Sequence, residues 1–310
     1  MNKQIISPYN LSIVLPAKNE ALVIGQTVAR IRELFPATEI IVVNDGSNDD
    51  TAALAVAAGA RVFTHPESRG NGAAIKTGAR VAQGEIIVFM DADGQHDPAD
   101  IPRLLEKLAS GYDMVVGARQ SGSQASFGRG LANYLYNRLA SYMTGKKIED
   151  LTSGFRAVRA DKFREFLYLL PNGFSYPSTS TMAFFRSGYL VAYEPIHAAR
   201  RMGTSHIKIM RDGARFLLII FKIGTLFSPL KIFAPIALFT FLSATAWYGY
   251  TFFVEGRFTN MSALLYTGSV MVFLIGLVSE QITALMYKDM GTTNVAGMAG
   301  EHEKTPDHHP

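Results

Sequence analysis

The chain has 310 residues, no cysteine, 48% hydrophobic residues and a formal charge of +4. That length allows one large domain or two small ones, and the missing cysteine excludes a disulfide framework, a thiolate metal site and a thiol nucleophile. The mean hydropathy of +0.12 is high for a purely soluble protein, and a pI near 9.1 suits an anionic partner such as lipid, phosphate or nucleic acid.

No apolar run follows the polar start at Met1–Gln4, so the first domain is expected on the cytoplasmic side. Strand and helix signals then alternate. Leu11–Leu15 predicts a strand. Glu20–Phe35 predicts a helix with Ile24, Val28, Ile31 and Phe35 on one face, stopped by Pro36. The continuous apolar run Glu39–Val43 predicts a strand buried on both faces. A helix over Thr51–Ala58, a strand over Arg61–Thr64, a helix over Gly72–Ala82 and a buried strand over Glu85–Met90 follow. Pro98–Ser110 predicts a helix with proline near its start, and Asp113–Gly117 another strand. This rhythm predicts an α/β domain with a mostly parallel sheet covered by helices on both faces. Farther on, Phe127–Met143 predicts a helix, Pro171–Ser180 a loop and Tyr189–Ala198 a late strand.

The apolar excess lies at the end. Ile232–Val254 and Phe258–Ser279 contain no charged residue, and each exceeds the roughly 18–20 residues that cross a bilayer. The short connection around Glu255–Asn260 makes them a hairpin. Lys222, Lys231 and Lys288 place both outer ends on the cytoplasmic side, with Glu280 at the interface. Before the spans, Lys208, Arg211, Arg215 and Lys222 share one helical face, which predicts an amphipathic helix lying on lipid. The polar stretch Gly291–Pro310 predicts a disordered tail. The predicted organisation is a catalytic domain over 1–205, a membrane-interface region over 206–229, a transmembrane hairpin over 230–288 and a tail over 289–310.

Ligands of an open parallel sheet bind beyond the carboxyl ends of its strands. Asp91 and Asp93, followed by Gln95, stand at such an end. Two carboxylates this close repel each other unless they share a hard divalent cation, and such a cation neutralises a diphosphate. Asn44-Asp45-Gly46-Ser47 forms a second acidic turn, where Asp45 could accept bonds from a base or ribose. Arg69-Gly70-Asn71-Gly72 opens a helix, and its glycines would let backbone approach a ligand. An anionic lipid phosphate needs no general base; it needs cations. Arg119, Arg129, Arg156 and Arg201 are the candidates. His65, His96, His197 and His206 share no metal-ligand spacing, and His96 is expected to be a neutral loop residue.

Leu15-Pro-Ala-Lys-Asn-Glu20, Asn44–Ser47, Asp91-Ala-Asp93 with Gln95, and Asp150-Leu-Thr-Ser-Gly-Phe-Arg156 occur in the order found in family 2 glycosyltransferases. The chain resembles, more narrowly, the dolichyl- or polyprenyl-phosphate sugar synthases, of the dolichol-phosphate mannose synthase type. The resemblance implies a GT-A fold, inversion at the sugar carbon and a Mg²⁺ or Mn²⁺ cofactor held by Asp91, Asp93 and Gln95. It implies nucleotide contacts from Pro16, Ala17, Glu20, Asp45, Asp91, Ala92 and Asp93. It also implies acceptor-phosphate contacts from Arg119, Arg129, Arg201 and Ser205, with Asp91, Asp93, Arg119 and Arg201 carrying catalysis. The expected donor is GDP-mannose or UDP-glucose, and the expected acceptor is a polyprenyl phosphate in the bilayer. A homo-oligomer is left open. Transfer to another lipid or a polysaccharide, and a non-catalytic nucleotide-sugar-binding protein, are the rival readings. The lone tryptophan, Trp247, lies inside a span, which disfavours a processive synthase. The bases cluster beside the membrane rather than along an aromatic-lined groove, which disfavours nucleic acid.

Overall fold

The computed structural model describes residues 10–119, 127–173, 175–197, 221 and 224–301. The chain divides into two compact units, residues 1–212 and 213–310.

The first unit is built on a seven-stranded sheet. In chain order its elements are β1 (Leu11–Ala17), α1 (Ile24–Leu34), β2 (Glu39–Asn44), α2 (Thr51–Ala57), β3 (Arg61–Thr64), α3 (Asn71–Val81) and β4 (Ile86–Phe89). Then come a short 3₁₀ turn at Pro98–Asp100, α4 (Ile101–Ala109), β5 (Met114–Arg119), α5 (Phe127–Thr144), β6 (Arg156–Arg159), α6 (Ala160–Arg164), α7 (Tyr176–Arg186) and β7 (Val191–Ile196). The spatial order is β3-β2-β1-β4-β6-β5-β7. All neighbours are parallel except β6, which runs antiparallel to both β4 and β5. The chain winds outward from β1 through β2 to β3, then returns to place β4 on the other side of β1. A crevice opens at such a reversal, outside the carboxyl ends of the strands.

Burial explains the strand assignments. Ile13, Val14, Leu15, Ile41, Val42, Val43, Ile87, Val88 and Phe89 are fully buried, as both-face coverage demands. One face packs Ile13, Leu15, Val42 and Val88 against Ile24, Val28 and Ile31 of α1 and Leu104 and Leu108 of α4. The opposite face takes α3, where a Cβ on Gly78 would come within 2.3 Å of Val14. On that side Phe89 meets Phe163 of α6, which meets Phe184 of α7.

Helix α7 and strand β6 differ from the sequence expectation. The predicted loop over Pro171–Ser180 is a helix from Tyr176 onward. Pro177 sits in its first turn, where no amide hydrogen is needed, and the Thr179, Ser180 and Thr181 hydroxyls donate to carbonyls one turn back. Strand β6 is hidden in the sequence because both its ends are arginines.

The second unit is a hairpin of α8 (Pro229–Glu255) and α9 (Asn260–Glu301). Pro229–Glu255 and Asn260–Tyr287 are long and apolar enough to cross a membrane. Only 11% and 17% of their most apolar windows are buried, and Phe239 and Phe253 are 73% and 87% exposed, which fits an apolar solvent and not a water-soluble core. Small residues let the helices approach: Ala237, Ala244 and Thr251 are buried on α8, and Ser262, Ser269 and Thr283 on α9. A Cβ on Gly276 would come within 2.7 Å of the Phe233 Cβ. These positions recur every seventh residue, the spacing of left-handed helix pairing. Glu280 meets the start of α8, accepting the Leu230 amide at 3.3 Å, where the helix dipole favours a carboxylate. Helix α9 continues to Glu301, into the segment expected to be a disordered tail, because extending a formed helix needs no new nucleus.

Candidate active site

The carboxyl ends of β1, β2 and β4 lie side by side and carry the predicted nucleotide and metal residues to one edge. Pro16 pairs with Val43 beyond the last rung shared by β1 and β4, so its missing amide hydrogen breaks no ladder bond to β4. Ala17 is buried, and its carbonyl accepts the Asp45 amide at 2.8 Å. The next residues lace the β1 loop to the β2 loop. The Asn19 amide donates to Ser47 Oγ at 2.9 Å, the Asn48 amide to Asn19 Oδ1 at 2.9 Å, and the Glu20 amide to Thr51 Oγ1 at 2.9 Å. Asn19 takes a left-handed φ of 55°, which Asn tolerates, and that turn delays the helix to Ile24.

Asp45 has a task the sequence did not reveal. It is 3% exposed and accepts four bonds of 2.8 Å, from His65 Nδ1 and the Arg69 amide on Oδ1, and from Ser68 Oγ and the Gly70 amide on Oδ2. Burial alone would lift its pKa, but the donors from His65, Arg69, Gly70 and Ser68 outweigh it and hold the carboxyl at about 2, against an ordinary 3.8. Asp45 therefore closes the 65–70 loop. A carboxyl with a depressed folded pKa stabilises above its unfolded value and loses that contribution as pH falls through its folded value. Urea titrations of the full chain in detergent, followed by circular dichroism, should lose stability between pH 4 and pH 2, about 2 kcal/mol of it from Asp45. The Asp45→Asn chain should drop by about that much less, because Asp49 and Asp150, whose carboxyls are also held low, still titrate in it; an equal drop in both chains would remove Asp45 from the account.

The chain's own packing requires the glycines after Arg69. A Cβ on Gly72 would lie 1.9 Å from the Pro171 carbonyl, and one on Gly70, at φ 100°, would lie 2.5 Å from that of Asn172. The Gly72 and Ala73 amides donate to Gly173 and Asn172 at 3.1 and 2.8 Å, so the start of α3 is capped by the 171–173 turn.

Beyond β4, Asp91 and Asp93 are half-buried, with buried Ala92 between them. Asp93 Oδ1 accepts the Gln95 amide at 3.1 Å, which shapes the turn. His96 is 7% exposed, stacks on Phe155 at 5.1 Å, and is pushed by burial down to about 4, so it is neutral at pH 7. Because β6 is antiparallel, the 150–155 loop that enters it emerges at this same edge. A Cβ on Gly154 would lie 2.7 Å from Asp91 Oδ2, so the absence of a side chain there is what admits the Asp91 carboxylate. Gly154→Ala should displace that carboxylate and lower turnover about 10²-fold, the effect of roughly 1 Å of misplacement. Full activity in that variant would show that the contact is incidental.

Arg119, at the end of β5, forms a two-pronged pair with Asp150: Nε to Oδ2 at 2.8 Å and Nη2 to Oδ1 at 3.0 Å. Nη2 also donates to Thr152 Oγ1. Burial opposes the Arg119 charge, but the bonds and charge of Asp150, with the charge of Asp91, raise its pKa. Burial likewise opposes the Asp150 charge, and Arg119 overcomes it and lowers that pKa. Among the described residues Nη1 has no protein partner, so two N–H groups remain for a ligand.

Arg156 is not available to a phosphate. It is fully buried under the site, where Nη1 donates to the Pro177 carbonyl at 3.0 Å and Ser180 Oγ at 2.7 Å, and Nη2 donates to the Ser153 carbonyl. It braces the 150–155 loop against α7. Its candidacy as an acceptor contact is thereby corrected. The Arg129 side chain, Arg201, Ser205 and the basic segment at Lys208, Arg211, Arg215 and Lys222 lie outside the described residues.

Among the described residues no three His, Cys, Asp or Glu side chains converge on one point. Asp91, Asp93 and Gln95 supply only oxygen donors, and an incomplete oxygen set suits Mg²⁺ or Mn²⁺, which completes its shell with phosphate and water. The donor chemistry therefore fits the ion, as a shared site and not as a closed protein cage.

Comparisons with known proteins agree with this geometry. Residues 12–167 match the glycosyl transferase family 2 model, and residues 228–285 match the GtrB C-terminal hairpin. An undecaprenyl-phosphate 4-deoxy-4-formamido-L-arabinose transferase of Pectobacterium carotovorum subsp. carotovorum is 31% identical over 88% of each chain. The protein of that name from Pectobacterium atrosepticum is 30% identical over the same shares. Glucosyl-3-phosphoglycerate synthase of Mycobacterium tuberculosis, solved with Mg²⁺ and UDP, is 27% identical with a TM-score of 0.55, over 70% of this chain and 79% of that one. The strand order, the acidic turn after β4 and the C-terminal pair of apolar helices thus converge: the chain belongs to glycosyl transferase family 2 and is a glycosyltransferase of the polyprenyl-phosphate sugar synthase type.

Proposed function

We propose that the protein transfers a sugar, with inversion, from a nucleotide sugar of the GDP-mannose or UDP-glucose type to a polyprenyl phosphate at the cytoplasmic face of the membrane. The observation that carries this reading is the meeting of Asp91 with Gly154 beside the Arg119–Asp150 pair. It sets an acidic turn suited to a metal diphosphate next to a cation with two N–H groups to spare. The names of the relatives support the undecaprenyl-phosphate acceptor class, and the Mn²⁺ and UDP-glucose of a solved neighbour support a nucleotide-sugar donor with a metal.

In this reading Asp93, Asp91 and Gln95 would hold Mg²⁺ or Mn²⁺, which would offset the charge of the departing nucleoside diphosphate. Arg119, with Arg201, orients the lipid phosphate. One phosphate oxygen forms a bond to the anomeric carbon as the bond from that carbon to the diphosphate breaks. No general base is required, because the attacking oxygen is already ionised at neutral pH. The lysines flanking the hairpin support a cytoplasmic side for its ends and for the catalytic unit.

The test is a transfer assay with the purified full chain in detergent, supplied with Mn²⁺, undecaprenyl or dolichyl phosphate and labelled GDP-mannose, UDP-glucose or UDP-N-acetylglucosamine. An organic-extractable labelled product that depends on the lipid phosphate and on metal is expected. Label that stays in water with every donor would defeat the proposal.

A further inference from the structure

We infer that Arg156 and Tyr176 are positioning residues for the transfer: from beneath the site they fix the Ser153–Gly154 peptide against which the Asp91 carboxylate rests. The inference rests on the function proposed above, with its metal role for Asp91, and deepens it. Neither side chain is open to a substrate, since Arg156 is fully buried and Tyr176 is 1% exposed. Arg156 pairs with Phe89 of β4 and with Val116 of β5, so it stands in the sheet between the strands that lead to Asp91 and to Arg119.

A buried guanidinium is a costly brace. Among the described residues it bonds to carbonyls and hydroxyls and to no carboxylate, and its Nε has no hydrogen-bond partner. Burial lowers its pKa, against the charges of Asp150 and Asp91. An apolar side chain of similar size would join β6 to α7 at lower cost. It could not hold the loop. The planar fork points two ways at once: Nη1 donates to the Pro177 carbonyl and the Ser180 hydroxyl of α7, and Nη2 donates to the Ser153 carbonyl. Ser180 gives its own hydrogen to the Tyr176 carbonyl at 2.9 Å, so its lone pairs are left for the guanidinium. Tyr176 takes the next carbonyl of the loop. Its hydroxyl donates to Gly154 at 3.0 Å, and the guanidinium lies 5.6 Å from its ring. Two consecutive carbonyls are thus held by donors rooted in β6 and α7.

The backbone at the start of α7 points the same way. Ser175 holds φ 90° and ψ 13°, a left-handed conformation uncommon for a residue with a Cβ. Such a conformation persists where its surroundings force it. Here it precedes the residue whose ring enters the core and whose hydroxyl reaches Gly154. The fit above that peptide is close, because a Cβ on Gly154 would lie 2.7 Å from Asp91 Oδ2 and 3.0 Å from Oδ1. A small shift of the peptide therefore displaces both carboxylate oxygens, and misplaced catalytic groups lose rate steeply.

The test uses the full chain in detergent. Electron paramagnetic resonance follows Mn²⁺ binding in the presence of UDP, the labelled-sugar assay follows transfer to undecaprenyl phosphate, and melting temperature follows the fold. Tyr176→Phe removes one hydroxyl and should leave the chain folded. It is expected to weaken Mn²⁺ binding and to lower kcat, each about tenfold, with the KM for the lipid phosphate unchanged. Arg156→Lys keeps the charge and loses the fork, so it should fall further in both. The deciding comparison adds Tyr176→Phe to Gly154→Ala. If the hydroxyl acts through that peptide, the double variant should transfer no more slowly than Gly154→Ala alone. A Tyr176→Phe chain that melts lower yet binds Mn²⁺ and turns over like the wild type would overturn the inference. So would losses that multiply in the double variant. A wild type that binds Mn²⁺ with UDP but loads no lipid sinks the acceptor reading alone, and the binding comparison then decides on Tyr176. A wild type that loads lipid without Mn²⁺ sinks the metal reading alone, and the kcat comparison decides. A wild type that does neither defeats both.

Discussion

Asp93→Ala is expected to lower sugar transfer about 10³-fold, a loss of several kcal/mol of transition-state stabilisation, while moving the melting temperature by no more than about 2 °C. The carboxylate is half-buried in a turn, and the Gln95 amide it accepts there is within reach of water, so the fold loses little. The chemistry loses more. The departing diphosphate carries growing negative charge, and Asp93 is the residue proposed to bring a cation to it. Asp93→Asn separates charge from shape, because Asn can still accept the Gln95 amide. Its activity should recover in part as Mn²⁺ is raised, whereas the alanine variant should not respond. Wild-type turnover by Asp93→Ala, at any metal concentration, would remove the metal role.

The second large effect concerns Asp150. Asp150→Ala should cost about 3 kcal/mol of stability, because it strands the partly buried Arg119 charge and frees the 150–155 loop. Asp150 is 6% exposed, and besides the guanidinium it accepts the Thr152 and Ser153 amides at 3.0 and 3.1 Å. One carboxylate thus fixes both the cation and the loop that carries Gly154 to Asp91. If the cost is mostly the orphaned charge, the double variant Arg119→Ala with Asp150→Ala will be more stable than Asp150→Ala alone. Urea titrations of the three chains read this directly, and a double variant less stable than either single one would locate the cost in the loop instead. Arg119→Ala by itself should raise the KM for the lipid phosphate and leave the donor KM unchanged. Acceptor kinetics equal to wild type would count against its assignment.

The parallel half of the sheet was legible because its strands are continuous apolar runs, which is what burial on both faces requires. Helices α1, α3 and α4 showed their periodicity for the same reason. What stayed hidden was polar and buried. Strand β6 begins with Arg156, whose guanidinium is satisfied by carbonyls and hydroxyls that no local pattern announces. Helix α7 reads as a loop until its serines and threonines are seen bonding back along the helix. At the site, the acidic turn of Asp91, Asp93 and Gln95 was expected after a buried strand, and it follows β4. The partnership of Arg119 with Asp150 joins residues 31 apart and needs the sheet to bring them together. The four donors that Asp45 accepts lie 20 to 25 residues away, so its closing of the 65–70 loop is not written in its local sequence. The small residues of the hairpin recur in the sequence at a seven-residue spacing.

The antiparallel strand also bears on how the chain acquires its structure during synthesis. β4 pairs with β1 on one side, and its other side waits for Arg156–Arg159, which leaves the ribosome much later. Through that interval Ile86–Phe89 presents an unpaired apolar edge, the kind that recruits a neighbouring nascent chain. Pairing over so long a loop is slow. Mutations that delay β6 should therefore appear first as low yield and aggregation, before any defect in catalysis can be measured.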